Sequence, residues 1–180
     1  MQLRNLVVVM GICVLFAAPL VFAQAKAVND QVIEFDDTDL KYPAERAVVA
    51  KHYAEEIKAV EKADKALGSS AELGIIISLV DLNGDGRKDI VACLIHVHYY
   101  GMNSCQIAIF LAGPGAKWKH VLEDSASLKG PISLLGKKTG GFRDIHNIST
   151  TGSKRERIWR WAGTRYKLAV YAEEGIQKKE

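Results

Sequence analysis

The sequence predicts an α+β domain, with one long N-terminal helix packed on a mainly antiparallel β-sheet or meander. Three observations predict it. Val49, Tyr53, Ile57, Val60 and Leu67 recur at spacings of three, four and seven, the period of a single helix face. Beyond Gly68 that period gives way to short runs rich in Val, Ile, Trp and Tyr, separated by Gly- and Asn-containing turns. No G-x-G-x-x-G or G-x-x-x-x-G-K-[ST] segment leads from a strand into a helix, which removes most of the case for a doubly wound nucleotide enzyme. Bulk properties agree: 180 residues, 48% hydrophobic and 25% charged, suit one domain with a substantial core. A formal charge of +3 is too small to argue for nucleic-acid binding.

In chain order, residues 1–23 read as a signal peptide. Arg4 supplies the positive end, Leu6 to Leu20 is nearly all apolar, and small residues at Val21 and Ala23, or Ala23 and Ala25, mark a cleavage site. The apolar run is about 15 residues long, short of the roughly 20 that span a bilayer. Export to the bacterial periplasm or beyond follows as an expectation, with no membrane span after removal. Residues 24–42 are polar and acidic (Asp30, Glu34, Asp36, Asp37, Asp39) and read as a loose arm that folds over a basic side of the domain. A single domain, 43–180, follows. Pro43 opens the helix at a position proline tolerates, and Gly68 caps its end. Strands are expected near 73–80, 88–98, 105–111, 117–122, 132–135, 143–149, 156–161 and 165–171, forming a sheet of about eight strands.

The strongest chemical motif is Asp81-Leu82-Asn83-Gly84-Asp85-Gly86-Arg87-Lys88-Asp89. Oxygen-bearing side chains fall at loop positions 1, 3, 5 and 9, and Gly86 permits the sharp turn at position 6. Calcium takes six to eight oxygens with enough negative charge to replace water, and three carboxylates supply that charge. Ala92 stands where an EF-hand needs Glu, and the flanks Ile75–Val80 and Ile90–Ile95 are strand-like, so the loop joins two strands. It resembles the calcium loops of FG-GAP and VCBS-type repeats, with their D-x-[DN]-x-D-G-x-x-D pattern. The resemblance implies a structural Ca²⁺ held by Asp81, Asn83, Asp85, the Arg87 carbonyl and Asp89. A metal-free Asp/Asn/Gly turn is the alternative. Downstream, Gly140-Gly141-Phe142-Arg143-Asp144-Ile145 echoes Asp85 to Ile90, and Tyr166-Lys167 echoes Trp118-Lys119. This reads as a degenerate duplication of a hairpin unit.

Cys13 lies in the leader, leaving Cys93 and Cys105. An even count in an oxidising compartment predicts one disulfide across a hairpin centred near Tyr99, with two buried thiols as the alternative. His96 and His98, two apart on a strand, share a face. They need a third ligand, such as His120 or His146, to hold a transition metal. No serine sits in a nucleophile elbow, and Glu123 and Asp124 point apart as strand neighbours, so no active site is assignable. The C-terminal third is basic, and a strand over 155–161 puts Arg155, Arg157, Trp159 and Trp161 on one side. Arg with Trp is the composition of binding hot spots, although core aromatics with solvated arginines give the same pattern.

The resulting expectation is an exported, non-enzymatic binding protein of the bacterial envelope with a structural calcium loop. It recognises a protein or an anionic polymer, a class that includes inhibitor and immunity proteins. The alternative is a calcium-stabilised hydrolase acting on an envelope polymer.

Overall fold

The computed structural model describes residues 30–38, 41–69, 72–149 and 155–173; the expected leader lies outside them. The expected single helix is two: α1 (Pro43–His52) and α2 (Ala54–Leu67). They part at Tyr53, where φ is −100° and ψ 20°. The Tyr53 N–H still bonds the Val49 carbonyl at 3.1 Å, and the Ile57 N–H bonds the Tyr53 carbonyl at 2.9 Å, so the path continues through a kink. Neither Pro nor Gly sits there. The feature at the break is the Tyr53 ring itself, buried against the sheet beneath. Gly68 ends α2 in the left-handed region (φ 66°), as its position predicts.

The strands are β1 (Gln31–Val32), β2 (Gly74–Val80), β3 (Asp89–Ile95), β4 (Ser104–Ala112), β5 (Trp118–Ser127), β6 (Ile132–Thr139), β7 (Phe142–Ser149), β8 (Arg155–Trp161) and β9 (Tyr166–Glu173). The antiparallel meander is present, but divided between two sheets, β2-β3-β4-β5 and β1-β6-β7-β8-β9. The β5–β6 connection passes at Gly130, where an added Cβ would lie 1.7 Å from the Ile148 carbonyl oxygen. Only glycine fits so close an approach.

Burial explains the division. Ile90, Ala92 and Leu94 of β3 pack with Val49 and Tyr53 of the helical segment. Val91 and Cys93, pointing the other way, pack with Leu134, Ile145 and Trp159 of the second sheet. The central strand is thus buried on both faces, which its unbroken apolar run requires. Three layers result: helices, first sheet, second sheet.

The acidic arm is not loose where described. Gln31 and Val32 pair with Leu134 and Ser133, Ile33 enters the core, and Asp36 bridges Ile77. It runs along the β6 edge and crosses to β2. Arg46, buried in α1, secures the crossing by donating to the carbonyls of Lys41 (2.9 Å), Asp36 (2.8 Å) and Ile75. The echoed sequences occupy matching places. Asp85–Asp89 and Gly140–Asp144 lie at the first hairpin of each four-strand meander, and Trp118 and Tyr166 each open its last strand.

Candidate functional site

The acidic loop closes the β2–β3 hairpin as expected, and its carboxylates organise their own backbone. Gly84 (φ 86°) and Gly86 (φ 83°) provide the left-handed turns. Asp81 accepts from the N–H groups of Gly84 (2.6 Å) and Gly86 (2.9 Å) through its two oxygens. Burial works to raise its pKa, but the backbone bonds outweigh it and the net direction is down. The Asn83 amide oxygen accepts from the Asp85 N–H at 2.9 Å. Asp85 accepts from the Arg87 N–H at 2.9 Å and pairs with its guanidinium at 2.5 Å. The Arg87 side-chain bond is the main reason the Asp85 carboxyl falls to about 2. Asp89 differs from the others. It is 2% exposed and accepts from Leu82 (3.0 Å) and Ala112 (2.9 Å), so it ties the loop to the end of β4. Burial, opposed by those two amides, raises its pKa.

The donor types are all oxygen and strongly anionic, as a hard cation requires, but among the described residues the three carboxylates do not converge as a ligand group and each is turned onto N–H donors of its own. Asp85 faces Arg87, so taking an ion there requires that pair to open. The loop rests on the second sheet: the Arg143 N–H bonds the Leu82 carbonyl at 2.8 Å, and Lys138 donates to the Asn83 carbonyl at 3.2 Å.

The expected disulfide is corrected. Cys93 and Cys105 are free, buried thiols. The hairpin is symmetric about Tyr100 rather than Tyr99, so Cys93 faces Ile107. Cys105 is its diagonal neighbour, and such pairs sit about 7–8 Å apart at Cα, beyond the roughly 6.8 Å limit of a disulfide. A hydrogen bond to Cys105, together with burial, pushes the Cys93 thiol well above its ordinary value. A thiol held protonated in this way is a poor nucleophile.

The expected binding face is corrected in part. Arg155, Arg157, Trp159 and Trp161 do share one side of β8, but that side turns toward the first sheet. Trp159 is fully buried and donates its indole N–H to Asp124 at 2.7 Å. Trp161 is half-buried and stacks on Phe142 at 4.0 Å. The arginine end opens to solvent. There Arg155 and Arg157 line a cleft of about 210 Å³ with Ser104, Ser125, Ser127 and Ser149. The backbone of Ser127 in its lining is held by buried Asn147, which accepts from the Ser127 N–H (2.7 Å) and donates to the Ser127 carbonyl (3.0 Å). Arg157 also lies 5.4 Å over the Tyr171 ring.

The His96–His98 pair does not form a metal site with His120 or His146. His96 Nε2 is 2.6 Å from buried Asp64, and its Nδ1 accepts from the His98 N–H at 3.3 Å. His98 lies 3.3 Å from the Ser69 hydroxyl, and His146 pairs with Glu156 at 3.0 Å. A different group assembles instead. Among the described residues, ligand atoms of His52, His120 and Glu123 all lie within 4.8 Å of one another. His52 is the last residue of α1, and the other two lie on β5.

His120 and Glu123 are three apart and would face opposite ways on a regular strand. Phe110 pairs with His120 whereas Ile109 pairs with Leu122, so Val121 is an extra residue in β5. That bulge turns both side chains toward the helices. Burial first, then His52 and Arg165, lowers the His120 pKa against the opposite pull of Glu123.

The fold and its sites define a three-layer α/β/β domain with an acidic hairpin loop at one end of the sheets and an arginine–serine cleft at the other. Among the described residues no helix is long and apolar enough to cross a membrane. No known protein family, curated protein or solved structure compared with the chain matches it.

Proposed function

We propose that the chain is an exported, non-enzymatic binding domain of the bacterial envelope that grips an anionic group of a polymer or protein in the Arg155–Arg157 cleft. The observation that carries this reading is the cleft itself: two guanidiniums and four serines around about 210 Å³. That volume is below the roughly 300 Å³ of common small-molecule pockets, so it suits one phosphate, sulfate or carboxylate group of a larger ligand. Guanidiniums recognise such oxyanions through paired N–H donors, and serine hydroxyls complete the shell. The apolar leader at 1–23 supports export.

In the same reading, Asp81, Asn83, Asp85, the Arg87 carbonyl and Asp89 hold Ca²⁺ as FG-GAP and VCBS loops do. The ion then braces the β2–β3 hairpin against β7, at the end of the sheets away from the cleft. The matched positions of the two hairpin turns favour a duplicated four-strand unit.

Binding of polyphosphate and dextran sulfate, with neutral dextran as control, tests the cleft. We expect salt-sensitive binding that the double variant Arg155→Glu, Arg157→Glu weakens at least tenfold, about 1.4 kcal/mol. Equal binding by parent and variant would overturn the assignment.

Calcium is tested by melting. Extracellular modules bind it at about 10⁻⁴–10⁻³ M, and a hundredfold excess over Kd stabilises by about 2.7 kcal/mol. Calcium should therefore raise Tm by several degrees, and Asp85→Ala should remove the response. An unresponsive parent protein would remove the ion from the reading.

A further inference from the structure

We infer that His52, His120 and Glu123 form a transition-metal site, with Zn²⁺ as the fitting ion. This goes beyond the anion-binding reading and shares no residue with the cleft or the acidic loop. Two imidazole nitrogens and one carboxylate are the donor set of zinc centres that keep a position open, whereas calcium takes oxygen alone. The ligand atoms already lie within 4.8 Å of one another. Zinc bonds of about 2.0–2.2 Å need a modest further closure. His52 and Glu123 are both exposed, so their side chains are free to make it.

The surroundings orient the ligands. Gln106 donates to one Glu123 oxygen at 2.9 Å, leaving the other 3.9 Å from His120 Nε2. Such partners set the direction of ligands in metal sites. The His52 and His120 rings lie 4.3 Å apart, with Phe110 against both, so one side of the group is walled by carbon. The Tyr53 hydroxyl stands 3.5 Å from His120 Nε2, a contact that a zinc ion bound to this nitrogen would replace. The bulge at Val121 serves this arrangement directly, because without it Glu123 would point into the core between the sheets.

The test is zinc titration of the untagged chain by calorimetry, with Co²⁺ in parallel for its visible absorption in low-coordinate nitrogen–oxygen sites. We expect one equivalent of Zn²⁺ and a Co²⁺ spectrum that zinc displaces. His120→Ala and His52→Ala should each weaken binding by at least about 100-fold, the upper end of what even an outer-shell partner costs. Glu123→Gln, which keeps an oxygen to accept from Gln106, should weaken it less. His98→Ala and Asp85→Ala should bind as the parent does. His52 is exposed, so its replacement leaves the fold intact should His120→Ala prove unstable. No zinc uptake by the parent, or uptake unchanged in the His52→Ala chain, would overturn the site. Loss in the Asp85→Ala chain would transfer the ion to the acidic loop and overturn it equally. None of these results bears on the cleft.

Discussion

Asp89→Ala should destabilise the protein by about 2–6 kcal/mol whether or not calcium is present, because it strands two buried backbone N–H groups at about 1–3 kcal/mol each. Those groups belong to Leu82 and Ala112, and the carboxylate that serves both is 2% exposed. A domain of ordinary stability, about 5–15 kcal/mol, loses a large share of it in such a change. Asp85→Ala makes the contrast. Its carboxylate is near the surface and bonds Arg87 within the loop, so in chelator its loss should cost far less than that of Asp89. On the calcium reading proposed above, the same motif thus contains one aspartate whose removal damages the fold and one whose removal costs mainly the ion. Urea unfolding of both variants, each with calcium and with chelator, separates them. Equal costs in chelator would mean that the Asp89 bonds do not hold the hairpin end.

The eight strands after Gly68 were legible because each carries its own alternation or apolar run and its own turn. The helical segment was legible from one apolar face. What alternation does not encode is which sheet a strand joins. Two four-strand meanders and one eight-strand meander have the same local pattern, and only the long-range packing of Val91 and Cys93 on Ile145 and Trp159 divides them. The cysteine pairing failed on register. A hairpin centred on Tyr99 makes Cys93 and Cys105 partners, but centred on Tyr100 it makes them diagonal neighbours, and the turn residues do not distinguish the two. The His52, His120 and Glu123 group was hidden for two reasons. One ligand comes from a helix face that reads as solvent, and the other two share a side only through an extra residue at Val121. The motif at 81–89 was legible as a hairpin loop with its glycines placed for the turn. The burial of Asp89 was not, because nothing in a D-x-x-x-D spacing says which carboxylate meets the neighbouring strand.

The second large effect concerns Trp159. Four residues on one side of β8 read equally well as a contact surface or as a core face with arginines at its rim, and the two readings predict opposite behaviour. A surface anchor replaced by Ala loses partner binding and keeps its stability. A fully buried Trp replaced by Ala loses about 3–5 kcal/mol, because the neighbours cannot collapse into the space. Trp159 packs in the core shared by both sheets, so Trp159→Ala should shift the denaturation midpoint strongly at constant m-value. The indole also donates to Asp124 at 2.7 Å, but that carboxylate is half-buried and reaches water when the donor is lost. Its share is therefore about 1 kcal/mol, the net worth of a hydrogen bond. Trp159→Phe isolates it: most of the packing remains, the donor goes, and the cost should be a minor part of the alanine value. Arg157→Ala, two residues away at the cleft, should instead leave the midpoint nearly unmoved and weaken polyanion binding. If Trp159→Ala unfolds at the parent's midpoint while polyanion binding fails, the aromatic half of β8 faces a partner after all, and the division of this strand into a core end and a binding end is wrong.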